Sequence, residues 1–349
     1  MITVFYAPNI HTGGGYVLLK ELIFAWPDDM PVIAFMDGRI KGDVRLPTSF
    51  GEVHWVSPSI WSRLAAEYRL WRIGLKADLI FCCNGLPPLL PSAAKVVSNL
   101  QNINYLKDDP SIRFSKRVGI RLFFEKFFFK FFNNRIDRFF VQTQTMKNEL
   151  EGWRNKNQIK SSLDCIIFPY SKALPVDALA GMSRVRKEWD FIYVSDGVAH
   201  KNHRNLFEAW GLLAEDGIFP TLAVTLSSRD SEVERRMLNL CATSGAKIHN
   251  IGFIDHDKAL DLYGKAQALI YPSLRESFGL PLVEASFFKL PILAPELDYV
   301  RDICDPAQTF ELSSSLSIAR AVKRFLRIND KNNQIYSASE FIEKLLGRS

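Results

Sequence analysis

Short apolar runs of strand length alternate with longer stretches of helical spacing, and the alternation occurs twice along the chain. The first series holds TVFYA at 3–7, PVIAF at 31–35, VHWVS at 53–57, DLIFCC at 78–83, KVVSNL at 95–100 and RFFVQT at 138–143. The second holds FIYVS at 191–195, LAVTLS at 222–227, KIHNIGFI at 247–254, ALIYPS at 268–273 and LPILAP at 290–295. Helical patterns fall between them, the clearest at 202–215, 231–244 and 256–267. Helices inserted between strands make the crossovers of a parallel sheet, and two such series make two sheets. The predicted class is therefore α/β, with two Rossmann-like doubly wound domains facing a central cleft. Ligands in such sheets bind beyond the carboxyl ends of the strands. The polar, Pro- and Gly-containing stretch 168–188 is the expected hinge. It divides the chain into 1–170 and 171–349, with the last helix available to pack back on the first domain. With 349 residues, 47% of them hydrophobic, the chain can bury two such cores.

One stretch at a strand end carries the chemistry. PSLRESFGLPLVEA, 272–285, sets Glu276 and Glu284 eight positions apart around a Phe-Gly-Leu-Pro turn, directly after an apolar run. Pro281 suits the first position of a helix, where its missing N–H is no loss and its φ is already correct. That places Glu276 on the loop and Glu284 in the first helical turn. The amides of Phe278, Gly279 and Leu280 then point out of the helix N-terminus, a seat for a phosphate or another electron-rich group. Acidic residues near helix starts are commonly there for the helix dipole alone. Two carboxylates beside an anion site also suit a ligand that carries hydroxyls next to its phosphates, as a nucleotide sugar does.

The net charge of +6 is modest, but its distribution is not. RFSKRVGIRLFFEKFFFKFFNNRIDR, 113–138, holds eight basic and two acidic side chains, an excess equal to that of the whole chain. Ten of the 26 phenylalanines lie in 113–140. Those at 123, 124, 127, 128, 129, 131 and 132 nearly encircle a helix, more than one core-facing stripe requires. Cations interleaved with aromatic rings suit an interfacial helix on anionic lipid, so a membrane surface is an expected partner through 113–138. A core helix with its rings packed inward is the plain alternative. Nucleic acid is not expected, because phenylalanine outnumbers the polar side chains that read bases. The five cysteines are odd in number and lack metal-ligand spacing, which points to reduced thiols and a cytoplasmic setting. The N-terminus lacks the pattern of a signal peptide, and no apolar run reaches the length of a membrane span.

Through HKNHRNLFEAW at 200–210, the segment 251–304 with its paired glutamates, and the glycines at 13–15, the sequence resembles the family 4 glycosyltransferases. These are retaining enzymes of the GT-B fold. The likeness is clearest over 190–325. It implies transfer of a sugar, as a hexosyltransferase would perform it, from a nucleotide-sugar donor on the C-terminal domain to an acceptor on the N-terminal one. No cofactor and no metal are implied beyond a UDP- or GDP-linked donor. By the same resemblance Lys201 matches the lysine that clamps the diphosphate, and Glu276 the glutamate that faces the donor sugar. Glu284 matches the residue that binds ribose hydroxyls, while Ser277, Phe278, Gly279 and Leu280 match the backbone around sugar and phosphate. Gly13, Gly14 and Gly15 would let the chain approach the donor phosphates without side-chain clash. Ile254 lies in the strand end expected near the base.

The sequence departs from that family in two places. Ser195 and Asp196 stand where an arginine usually precedes the lysine, leaving Arg204 or Arg275 as candidate sources of the charge. SNLQNINY, 98–105, lacks the histidine often found near the sugar, so His11, Gln101 and Asn102 are the acceptor-side candidates. A front-face retaining mechanism, in which the leaving phosphate oxygen takes the acceptor proton, needs no protein base. The expected role is O-antigen, capsule or other cell-surface polysaccharide synthesis on a lipid-linked acceptor, at the cytoplasmic face of the inner membrane. The alternatives are a non-catalytic nucleotide-sugar-binding partner subunit and a sugar-nucleotide epimerase on the same scaffold.

Overall fold

The computed structural model describes residues 1–83, 85–109, 112, 114–159, 162–172, 186–328 and 337–346. Most of the expected hinge, 173–185, lies outside them, as does Arg113 at the start of the basic segment. The first sheet comprises β1 (Thr3–Ala7), β2 (Val32–Asp37), β3 (Glu52–Val56), β4 (Leu79–Cys82), β5 (Lys95–Asn99), β6 (Arg138–Val141) and β7 (Cys165–Ile167). Its spatial order is β3-β2-β1-β4-β5-β6-β7. The second comprises β8 (Trp189–Tyr193), β9 (Leu222–Val224), β10 (Ile248–Asn250), β11 (Ala266–Ile270), β12 (Ile292–Pro295) and β13 (Gln308–Phe310), ordered β10-β9-β8-β11-β12-β13. Every pairing is parallel. Both orders reverse direction beside their first strand, which is the doubly wound arrangement expected from the sequence.

The crossovers of the first half use α1 (Gly13–Phe24), α2 (Ile60–Gly74), α3 (Lys116–Phe132) and α4 (Gln144–Lys156). The second half uses α5 (His203–Glu215), α6 (Ser231–Ser244), α7 (His256–Gly264), α8 (Leu280–Phe287), the short α9 (Asp298–Arg301) and α10 (Ser315–Phe325). The last helix, α11 (Ala338–Leu345), buries none of its residues, so the expectation that it packs back on the first domain finds no packed face. Strands β7 and β13, three residues each, were not among the expected runs, being too short to carry a period of their own. The second core closes around Phe191, Tyr193, Trp210, Tyr263 and Tyr271, all at most 1% exposed. Trp210 Nε1 donates to the Pro220 carbonyl at 2.8 Å, so its one polar atom is buried with a partner.

Two local features differ from the sequence reading. The three glycines are not a loop ahead of the first helix but its first turn, entered at Gly13 with φ +68°. Helix α8 begins at Leu280, one residue before Pro281, so Glu284 falls in the second turn and faces inward at 4% exposure.

Candidate active site

In the second sheet the strand order reverses between β8 and β11. The chain leaving β8 runs into a 3₁₀ turn, Ala199–Lys201, closed by Asn202 in the left-handed conformation at φ +58°. Asn202 holds that conformation by donating from Nδ2 to the Leu312 carbonyl at 3.0 Å. The chain leaving β11 carries Tyr271, Ser273, Arg275 and Glu276. The two loops are tied together, since Leu274 N donates to the His200 carbonyl at 2.8 Å and Ser273 Oγ to the same oxygen at 3.2 Å. Lys201 Nζ thereby reaches Glu276 Oε1 at 2.6 Å, and Tyr271 Oη donates to that oxygen at 2.9 Å. Lys201 and Glu276 are 15% and 11% exposed. Burial, the largest single influence, pushes the Glu276 carboxyl up, but Lys201 together with His200 and Ser273 outweighs it and the net pKa lies below the ordinary glutamate value. The His200 imidazole beside the pair is lowered to about 4, by burial first and by Lys201 second, and is therefore neutral near pH 7.

Glu284 is held separately. Tyr263 Oη donates to Oε2 at 2.7 Å, and His256 Nε2 lies 2.6 Å from Oε1. Neither partner was singled out in the sequence; both sit on α7, one helix before the motif. A carboxylate oxygen can accept two hydrogen bonds, so Glu284 retains capacity for vicinal hydroxyls beside these contacts. Ile254, half-buried against the second core, leads into His256 on the loop after β10.

The turn between the glutamates is where the two halves meet. Gly279 takes φ +77° at the start of α8, and no side chain caps that helix. Ser277 O accepts from Thr143 Oγ1 of the first half at 3.2 Å. Phe278 and Leu280 pack with Leu18 of α1 in a small apolar cluster. A Cβ added at Gly14 would lie 3.2 Å from Leu280 Cδ1, so the glycine is what lets α1 and α8 come this close. The α1 N-terminus also has no side-chain cap. Two helix starts without side-chain caps thus converge, each presenting the positive end of a helix dipole; in α8 Pro281 has no N–H and those of Leu282 and Val283 reach the Gly279 carbonyl, which leaves that of Leu280. Gly15 lies beside the Gln101 side chain.

The other candidates separate clearly. Gln101 Nε2 donates to Tyr170 Oη at 3.0 Å, whereas Asn102 Oδ1 caps its own turn by accepting from Asn104 N at 3.1 Å. Arg275 bridges to the first half, donating to the Lys107 carbonyl at 3.1 Å and to Asn104 Oδ1. Arg204 lies on the surface of α5, paired with Glu208 at 2.8 Å and 76% exposed. Neither arginine is free to stand in for the cation missing at Ser195–Asp196. Another arginine lies in the turn after β9, beside that loop. Arg229, after β9, lies close enough to the His11 imidazole of the first half to depress it, adding to burial and to Arg39. Its neighbour Asp230 is packed against Gly197, where any Cβ would meet Asp230 at 2.7 Å, so Arg229 sits beside the very loop that lacks an arginine. Nothing local in the sequence marks Arg229, because it comes from the turn after the next strand, β9. His11 itself is buried at Nδ1 without a hydrogen-bond partner, 3.8 Å from Asp37 Oδ2.

Residues 182–340, which carry Lys201, Glu276, Glu284 and Arg229, match the family described as glycosyl transferases group 1. The match covers most of the second half of the chain. Over 166 residues it is 27% identical to the serotype-specific mannosyltransferase WbdA of Escherichia coli, covering 46% of this chain and 20% of that protein. It is 22% identical over 142 residues to the O-antigen chain mannosyltransferase B of Escherichia coli, covering 40% of this chain and 37% of that protein. The chain thus spans well under two thirds of the length of these curated relatives. Among solved structures, Anabaena Alr3699/HepE in complex with UDP and glucose superimposes with a TM-score of 0.65 at 15% identity, covering 93% of this chain and 90% of that one. The fold is the GT-B arrangement of two parallel-sheet domains. Among the described residues no three His, Cys, Asp or Glu side chains converge on a possible metal position, and no helix is long and apolar enough to cross a membrane.

Proposed function

We propose that the protein is a retaining hexosyltransferase that moves a sugar from a UDP- or GDP-linked donor to a lipid-linked saccharide, in O-antigen, capsule or other cell-surface polysaccharide synthesis. The observation that carries this reading is the Lys201–Glu276 pair at the strand-order reversal of the second sheet, next to two converging uncapped helix starts. Donor diphosphate between α1 and α8 would meet backbone N–H groups from both. Lys201 has three N–H donors, of which Glu276 and Tyr271 engage two, so one is left for a phosphate oxygen. As the sugar–phosphate bond breaks, charge builds on that oxygen, where a positioned ammonium and helix starts stabilise it most. Glu284, steadied by Tyr263 and His256, would accept from the ribose hydroxyls, and Glu276 would face the sugar. The leaving phosphate oxygen would take the acceptor proton, so neither a protein base nor a metal is required. The relatives named as mannosyltransferases favour mannose among the hexoses.

Incubation with UDP-, GDP- and TDP-sugars, with and without a chelator, tests this reading. Nucleotide release coupled to a glycosylated lipid acceptor, with NMR showing the donor's anomeric configuration in the product, is the expected result. Ser195 and Asp196 in place of an arginine favour one rival, a partner subunit that binds nucleotide sugar without turnover. Tight nucleotide binding with no release under any acceptor would support that rival, and interconversion of the sugar while still nucleotide-linked would support an epimerase.

A further inference from the structure

Two neighbouring helices of the first half are apolar on two opposite faces. α3 buries Leu122 and Phe129, the latter against Trp153 at 4.9 Å between ring centroids. Opposite them Ile120, Phe123, Phe124, Phe127 and Phe131, at 61, 66, 53, 47 and 56% exposure, form a second stripe with i, i+3, i+4, i+7 and i+11 spacing. α2 buries Ala66, Leu70 and Gly74, while Ile60, Trp61, Leu64 and Tyr68 stand out at 74, 81, 48 and 54%. One stripe is all a helix needs to reach its own core. A second, continuous stripe of large apolar side chains marks a surface made for something else. The two helices cover the same face of the first sheet, since Ala66 and Leu70 of α2 and Phe129 of α3 belong to one core cluster.

The charges around the stripes identify the occupant. At about 100° per residue, Arg117 and Arg121 border one side of the α3 stripe and Lys126 and Lys130 the other, while Arg69 and Arg72 border that of α2. A second copy of the chain in a two-fold contact would bring these like-charged borders together. An anionic bilayer would meet all of them favourably while taking the rings into its headgroup region. The face also begins beside the cleft, because Phe114, just before α3, lies 5.9 Å from the guanidinium of Arg275, which precedes Glu276.

We infer that α2 and α3 together form one docking face for anionic lipid, with Trp61 as an anchor equal in weight to the phenylalanines. This inference draws its purpose from the lipid-linked acceptor proposed above. α2 is a predominantly helix-forming, mixed stretch with nothing in its sequence to mark it as interfacial, so only the packing places it there.

The experiment is co-sedimentation of the full chain with phosphatidylcholine vesicles, with and without phosphatidylglycerol, alongside light scattering in solution and nucleotide-sugar binding without lipid. The variants are Trp61→Ser with Leu64→Gln on α2, Phe123→Gln with Phe127→Gln on α3, and Arg117→Gln with Arg121→Gln and Lys130→Gln. Each group should lower partitioning onto phosphatidylglycerol vesicles at least tenfold, the charge group by roughly fivefold per cation removed. Melting temperature and nucleotide-sugar binding should be unchanged. Wild-type partitioning by the α2 variant, equal binding to neutral vesicles, or a wild-type dimer that the same substitutions dissociate would each overturn the inference. Vesicle binding without any nucleotide-sugar binding would instead count against the transferase reading alone.

Discussion

Replacing Lys201 by methionine removes the ammonium and keeps much of the stem, leaving the Glu276 carboxylate with Tyr271 as its remaining hydrogen-bond donor among the contacts described above. Both partners are largely buried, at 15% and 11% exposure. Removing one partner of a buried pair strands the other charge and costs about 3–5 kcal/mol. A domain of this size shifts in melting temperature by roughly 2–4 °C per kcal/mol, so the transition of the C-terminal half should fall by about 10 °C at pH 7.5. The sign with pH is fixed by Glu276. In the native protein Lys201 holds its pKa below the ordinary value, so its contribution is present above the unfolded pKa and lost as pH falls through the lower, folded one. In the variant burial is no longer offset by Lys201 and pushes the pKa up, so the penalty is largest at pH 7–8 and shrinks as the carboxyl takes up a proton on acidification. Thermal melts of wild type, Lys201→Met, Glu276→Gln and the double variant across this range form the test. Adding Glu276→Gln to Lys201→Met should recover most of the lost stability while transferase turnover stays down by about 10²–10³. A double variant no more stable than Lys201→Met, or a pH-independent deficit, would refute the stranded-charge reasoning.

Arg229→Gln should raise the KM for the donor about tenfold and steepen no salt dependence, whereas Arg204→Gln, on the outer surface of α5, should leave it unchanged; steady-state kinetics with varied donor decides between them. Gly14→Val should weaken donor binding, since its Cβ would already lie 3.2 Å from Leu280 Cδ1 and two further methyls overpack the contact by about 1–3 kcal/mol, as calorimetry with the nucleotide can measure. Tyr263→Phe removes the 2.7 Å hydrogen bond to a buried Glu284 oxygen and should cost about 1–3 kcal/mol in stability, with donor affinity reduced in the same variant.

Two doubly wound sheets, a cleft between them and a glutamate-bracketed turn at a strand end were all legible in the sequence. Strand and helix periods are local records of which residues face inward, and Pro281 and Gly279 state their backbone needs within a few positions. Lys201 could be named as well, although only through the resemblance of its surroundings to known enzymes. What the tertiary structure decided is who meets whom. Arg275 and Arg204 looked equivalent as cations along the chain, yet one is bound to the first half and the other lies on an outer surface, while the turn that carries Arg229 packs beside Gly197. Glu284 acquired Tyr263 and His256 from another helix. The phenylalanines of α3, which seemed to encircle it, divide into Phe129 in the core, Phe128 and Phe132 half-buried, and Phe123, Phe124, Phe127 and Phe131 exposed. That division depends on where α2, β6 and α4 stand. A side chain's neighbours across a fold are set by how separate elements pack, and the pattern along one element records only that a face is apolar, not what lies against it.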